Sequence, residues 1–306
     1  MIVRGRPGAW ELFRIFRLSI VPRIAPQIVT VVVFSAVVLA LERRVPVLFV
    51  GWSVAPFTLL GIALSIFLGF RNNACYDRWW EARRQLGAMV GEMRSFARVS
   101  VTLPGGDRER RARMVRRAIG YTYALMAHLR GSGRGAEMPE EAGRYTPEWN
   151  EMVEARNVPD AMLRGIAAEY GAMLGEEEIG EQVYRIFEER VSAMAAIQVA
   201  CERIRGTPTP FTYTLLLHRT AYAFCFLLPF SLVTTLGFAT PVFCAVVAYA
   251  FFGLDALGDE LEEPFGASMN ALPLDALART IEISLLEALG EKDVPEAKVP
   301  VGSILR

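Results

Sequence analysis

Ile62, Ile66 and Phe70 stand at i, i+4 and i+8 within an uncharged stretch, a spacing that places their side chains on one face of a helix. At 1.5 Å per residue they cover about 12 Å of the helix axis. Several such helices arranged around an axis form a narrow apolar collar, and a constriction of that kind gates ions by shedding water. Apolar residues at this spacing also commonly face lipid or a neighbouring helix. What distinguishes these three is the run that follows at once, Arg71-Asn72-Asn73-Ala74-Cys75-Tyr76-Asp77-Arg78-Trp79-Trp80. A collar here ends in a polar ring to which Asn72 and Asn73 belong.

A second constellation is acidic. Asp255, Asp259 and Glu262 fall at i, i+4 and i+7 on one helix face, and His218 or Arg219 is placed to approach from a neighbouring helix end. A metal site needs deprotonated oxygen or imidazole ligands converging in this way. The preferred reading is an interfacial ion-pair network with Arg78, Arg83 or Arg84, and the rival is a membrane-anchored enzyme or metal-binding protein built on the cluster from Asp255 to Glu263. With two histidines only, His128 and His218, and no His-Glu-x-x-His or Glu-x-x-His pattern, a catalytic zinc or di-iron site is not expected. Gly-rich phosphate loops and a Gly-x-Ser-x-Gly elbow are absent. We therefore assign no catalytic residue, no metal and no cofactor. Cys75, Cys201, Cys225 and Cys244 have no paired spacing and read as reduced packing residues.

The elements that carry these residues follow from the segregation of apolar and charged side chains. The chain has 306 residues, 53% hydrophobic and 22% charged, with 33 basic and 33 acidic residues. That composition excludes disorder and a disulfide scaffold, and the charge balance leaves no basic excess for nucleic acid. Residues 24–41, 45–70 and 220–254 carry no charge, whereas about 20 apolar residues cross a bilayer once. The last run is long enough for two spans, with a turn where Gly237-Phe238-Ala239-Thr240-Pro241 interrupts the pattern and Pro241 opens the next helix. The expectation is an all-α integral membrane protein with four transmembrane helices, the pore-lining helix covering residues 50–70. Residues 1–23 form an N-terminal interfacial segment, with an amphipathic helix over 9–21. Residues 71–210 form a cytosolic helical region, residues 211–254 hold spans three and four, and residues 255–306 form a cytosolic C-terminal segment.

Within the charged middle region, helical periodicity covers residues 107–130, 152–173 and 178–205, with breaks at 103–106, 131–147 and 207–210, and a further helix covers 273–289. Strand signals are absent. Lys and Arg set the orientation. Arg4, Arg6, Arg14, Arg17 and Arg23 precede the first span and Arg71, Arg78, Arg83 and Arg84 follow the second, against Arg43 and Arg44 in the turn between them. Both termini and the middle region are therefore expected on the cytoplasmic side of the inner membrane. Trp52, Trp79 and Trp80 suit membrane interfaces or tight packing behind the collar.

Phe67-Leu68-Gly69-Phe70 followed by Asp77-Arg78-Trp79-Trp80 resembles the signature closing the second transmembrane helix of bestrophins, and Phe70-Arg71-Asn72-Asn73 resembles its bacterial branch. Thr209-Pro210-Phe211-Thr212-Tyr213, Leu217-His218-Arg219-Thr220 and Phe226-Leu227-Leu228-Pro229-Phe230 are similar to the family's third span. The run from Leu254 through Asp255-Ala256-Leu257-Gly258-Asp259 to Gly266, then Asn270-Ala271-Leu272-Pro273-Leu274, resembles the segment after its fourth. The resemblance implies a homopentameric ion channel, in contact with membrane lipid, that passes monovalent ions through a hydrophobic neck at Ile62, Ile66 and Phe70. It also implies a second, cytosolic aperture, for which Ile179 is the candidate and an ordinary helix-start residue the alternative. Animal members resemble calcium-gated chloride channels, whereas the bacterial branch is associated with cations. Here Glu263-Pro264-Phe265-Gly266 leads into Ala267-Ser268-Met269, without the dense acidic run of a calcium clasp, and the chain sides with the bacterial branch. Sodium is thus favoured and chloride is the other possibility. Glu176, Glu177 and Glu178 are candidate contributors to cation passage, or simply a solvated helix end.

Overall fold

A computed structural model describes residues 1–5, 8–12, 15–16, 18–49, 51–103, 107–131, 140–146 and 155–306, with the backbone alone at 9, 12 and 142. Among the described residues the chain is helical, with isolated bridges joining Ile2 to Ile304 and Val301 to Ile304 as its only β-contacts. In order the helices are α1 (Ala9–Leu12), α2 (Val21–Arg44), α3 (Val54–Thr102), α4 (Arg108–Arg130), α5 (Glu140–Tyr145), α6 (Val158–Gly175), α7 (Glu181–Gly206), α8 (Phe211–Leu236), α9 (Thr240–Glu262) and α10 (Leu274–Leu289). The chain divides into two compact units. One comprises Arg4–Trp79 and Pro208–Pro264, the other Met1–Val3, Trp80–Thr207 and Phe265–Arg306.

The first unit holds the apolar stretches. Segments within α2, α3 and the run Phe211–Glu262 are long and apolar enough to cross a bilayer. Gly237 adopts φ +50, a left-handed value that suits glycine, and a short 3-10 turn over Gly237–Ala239 then delivers Pro241 into the first turn of α9. This is the turn the sequence indicated. Ile24, Leu64, Leu68, Phe224, Cys225 and Phe252 meet in the unit's core. Two contacts fix helix directions. Arg23, near the start of α2, pairs with Asp259 near the end of α9 at 2.8 Å, while Arg43 at the far end of α2 lies 3.7 Å over the Phe238 ring in the α8–α9 turn.

Two expectations about element boundaries need correction. α3 does not end at Phe70 but runs through Thr102 for 49 residues. A helix need not stop where its surroundings change from apolar to polar, because its backbone hydrogen bonds are internal. Its inward face simply exchanges Leu64 and Leu68 for Arg71 and Cys75, then Ala82 and Leu86, all buried. The amphipathic helix expected over 9–21 is reduced to the four residues of α1. Ser19 and Ile20 form a turn, Val21 already opens α2, and Phe13, Arg14 and Arg17 lie outside the described residues.

In the second unit Asp107 caps α4 by accepting from the backbone amides of Glu109 and Arg110, and Gly131 closes that helix at φ +94. α6 begins at Val158 behind an Asn157 cap; its expected start at Met152 lies outside the described residues, as does the Pro104-Gly105-Gly106 break. Phe96, Tyr170 and Phe187 form an aromatic core, the last two stacked at 3.9 Å. Within the break expected over 131–147 sits the unforeseen helix α5. Its Tyr145 hydroxyl donates to the buried Glu282 of α10 at 2.7 Å, alongside the Tyr123 hydroxyl of α4 at 2.6 Å. Burial holds the Tyr145 hydroxyl proton to about 12, so it remains a donor.

His128 gives this unit a pH dependence. Burial lowers its pKa by disfavouring the imidazolium, against the weaker opposing pull of Glu202 3.7 Å away. A group that binds its proton more weakly when folded contributes stability above its unfolded value of about 6.5, and that contribution is lost as pH falls through the folded value. Acidification from about pH 7.5 to 5.5 is thus expected to lower the thermal midpoint more in the parent chain than in His128→Asn. Equal shifts in the two would remove His128 from the account.

Candidate functional site

The three collar residues share an open face of α3. Ile62, Ile66 and Phe70 are 53%, 51% and 62% exposed, although each is large and apolar. Leu59, one turn before Ile62, is exposed on the same side, and Asn73 and Asp77 continue the face beyond Phe70. At 100° per residue they sit within about 60° of Phe70 around the axis. Asn72 does not share this face. Its amide is buried against α9, where a Cβ on Gly258 would stand 2.7 Å from Asn72 Oδ1 and 2.9 Å from Arg71 Nη1. Gly258 is therefore the point at which the two helices approach closely enough for Arg71 to reach across.

Opposite the open face lies the acidic constellation of α9, and Arg71 occupies its centre. This side chain is 1% exposed. Its Nη1 donates to Asp255 Oδ1 at 2.9 Å and to the Asp255 carbonyl at 3.0 Å, and its Nη2 donates to Asp259 Oδ1 at 2.6 Å, with Glu262 at 3.4 Å. The planar guanidinium, with its fork of donors, suits several carboxylates at once. His218 Nδ1 meets the second oxygen of Asp255 at 2.6 Å, and Glu262 also accepts from the Thr209 backbone amide at 3.0 Å. Arg78 donates through Nε to the Glu262 carbonyl at 2.7 Å.

The preferred ion-pair reading of this cluster and the approach of His218 are therefore observed, with a change of cation. Arg71 is the main partner, Arg78 contributes through a backbone carbonyl, and Arg84 pairs with Glu81 on its own helix. The signal for Arg71 was present in the sequence. It precedes Arg78 by seven residues and follows Leu64 by seven, so it belongs to the inward face. Among the described residues no group of His, Cys, Asp and Glu is arranged to hold a metal ion.

Two further candidates lie in the second unit. Glu176 and Glu178 are both held by Arg110, at 2.5 and 3.0 Å, and the Arg110 guanidinium lowers the pKa of Glu176. Their charges are thus neutralised locally, and Glu177 is left in a left-handed turn at φ 57. Ile179 follows that turn and is 4% exposed, its backbone amide donating to the Met173 carbonyl. In the single chain it is a packed side chain. All four cysteines are free and buried.

Long apolar helices, one of which bares an apolar stripe backed by a buried ion-pair network, are those of a membrane protein, and its relatives place it in the ion-channel class rather than among enzymes. The family described as Bacterial/Fungal Bestrophin protein matches residues 1–287, and the chain belongs to that family. It is 47% identical to a voltage-dependent anion channel-forming protein of Mesorhizobium japonicum over 95% of this chain and 93% of that one. A relative of the same description from Escherichia coli is 35% identical, with 98% of each chain covered. The crystal structure of a bacterial bestrophin homologue from Klebsiella pneumoniae superposes with a TM-score of 0.83 at 33% identity, covering 88% of this chain and 99% of that one.

Proposed function

We propose that five copies of this chain assemble around an axis in the inner membrane and pass monovalent ions passively through a neck formed by Ile62, Ile66 and Phe70. The observation that carries this reading is the exposure of three large apolar side chains, spaced four residues apart on one face of α3, away from the side that Arg71 buries. What sets this apolar face apart from those that meet lipid is the polar run that follows it at once, and its apolar character suits a constriction that wets and dries. Four spans follow from α2, α3, α8 and α9. The pairing of Arg23 with Asp259 at one end and of Arg43 with Phe238 at the other supports an arrangement with both inter-span turns on one side. Arginines concentrated before α2 and after the collar favour the cytoplasm for the termini. Ile179 stands as a second constriction only if its turn opens on assembly.

The bacterial-branch resemblance favours cations, sodium first. The names of the curated relatives say anion, and that observation favours chloride as the second reading. Reversal potentials of the purified chain in planar bilayers under a sodium chloride gradient decide between them. A potential toward the sodium equilibrium value is the expected result, one toward the chloride value establishes the second reading, and absence of any conductance defeats both.

A further inference from the structure

We infer that Asp77 sets the sign of the ion that this pathway admits, acting as a ring of carboxylates just beyond the apolar collar. The inference rests on the pore reading above and adds to it the residue that discriminates. Asp77 follows Phe70 by seven residues, two turns of one uninterrupted helix, so it stands on the collar's face about 10 Å further along the axis. It is exposed and enters none of the ion pairs found among the described residues.

The neighbouring charges sharpen the point. Of the three basic residues nearest to it in sequence, Arg71 and Arg78 are turned toward α9 and held there by Asp255, Asp259 and Glu262, and Arg83 stands about 120° from Asp77 around the helix. The next basic residue in register with the collar, Arg84, is answered by Glu81 at 2.5 Å. On the collar's face the charges are thus the mutually paired Arg84 and Glu81 and the unpaired Asp77, while Arg71 and Arg78 are held on the side of α9. Of the acids offered by sequence as cation attractors, Glu176, Glu177 and Glu178, the first and last are already occupied by Arg110. Asn73, between Phe70 and Asp77, is exposed and uncharged, so it does not offset the field. A ring of like charges at the mouth of a low-dielectric constriction concentrates counter-ions and repels co-ions. Asp77 therefore favours monovalent cations over chloride.

The test measures reversal potentials of Asp77→Asn, Asp77→Lys and Asp77→Glu beside the parent and Ile66→Ala, all in planar bilayers under a sodium chloride gradient. The sodium-to-chloride permeability ratio is expected to fall about tenfold in Asp77→Asn, equivalent to about 1.4 kcal/mol, to invert in Asp77→Lys and to stay near the parent value in Asp77→Glu. Retention of the ratio by Asp77→Glu separates loss of charge from loss of assembly. An anion-selective parent overturns the inference, as does an unchanged ratio in Asp77→Asn and Asp77→Lys when Ile66→Ala still raises conductance; in both cases the pore reading survives. Insensitivity of conductance to Ile66→Ala and Phe70→Ala removes the pore reading, and the inference falls with it.

Discussion

Phe70→Ala and Ile66→Ala are each expected to raise conductance about tenfold, the effect of removing about 1.4 kcal/mol from the barrier to ion passage. The expectation follows from what makes the collar resistive. An ion entering an apolar ring sheds water that no side chain replaces, and the cost falls steeply as the ring widens enough to keep water inside. Truncating a residue repeated in every copy widens the ring at several points together. Both side chains are about half exposed in the chain, so their removal leaves little cavity in the fold. Thermal stability should therefore move far less than conductance, which separates a pore role from a packing role. Conductance unchanged in both variants, with normal assembly, would refute the collar.

The largest effect on stability is expected at Arg71. Arg71→Met leaves Asp255, 4% exposed, without its main cation, and breaking a buried pair from one side costs about 3–5 kcal/mol. Asp259 is more exposed and pairs with Arg23 as well, so most of the loss resides at Asp255, where His218 offers partial compensation. The measurement is the thermal midpoint of the purified protein in detergent, together with its assembly state. Arg71→Met combined with Asp255→Asn should recover part of the loss, since the stranded charge is gone. An unaltered midpoint in Arg71→Met would show that solvent or lipid headgroups already reach the network.

Much of this was legible in the amino-acid order because the bilayer is a demanding solvent. The uncharged runs and the turn at Gly237 are consequences of the rule that backbone and side-chain polarity must be hidden within the hydrocarbon layer. What was missed lies where that rule stops acting. The end of α3 was placed at Phe70 because charges begin there, although a helix whose inward face meets carboxylates has every reason to continue. Arg71 was passed over for Arg78, Arg83 and Arg84 because it adjoins the uncharged run, where a charge reads as the end of a span and not as a buried partner. α5 was hidden in a Gly-rich stretch, and what ties it down is the distant Glu282 of α10, a contact that no local pattern announces. Asp77 was noticed only as part of a motif; its solitude became visible once Arg71, Arg78 and Arg84 had been given partners.

Phe70 and Arg71 are consecutive, about 100° apart around α3. One faces the open side, and the other is locked by three carboxylates on α9. Mechanically, Arg71 is a key that stops an axle from turning. At a side-chain radius of about 6 Å, a rotation of about 20° would carry the Phe70 ring about 2 Å, comparable with the radius of a water molecule. In the proposed neck the aperture would be set by torsion as much as by side-chain size, and the stiffness against that torsion would reside in electrostatic contacts on the α9 side of the helix.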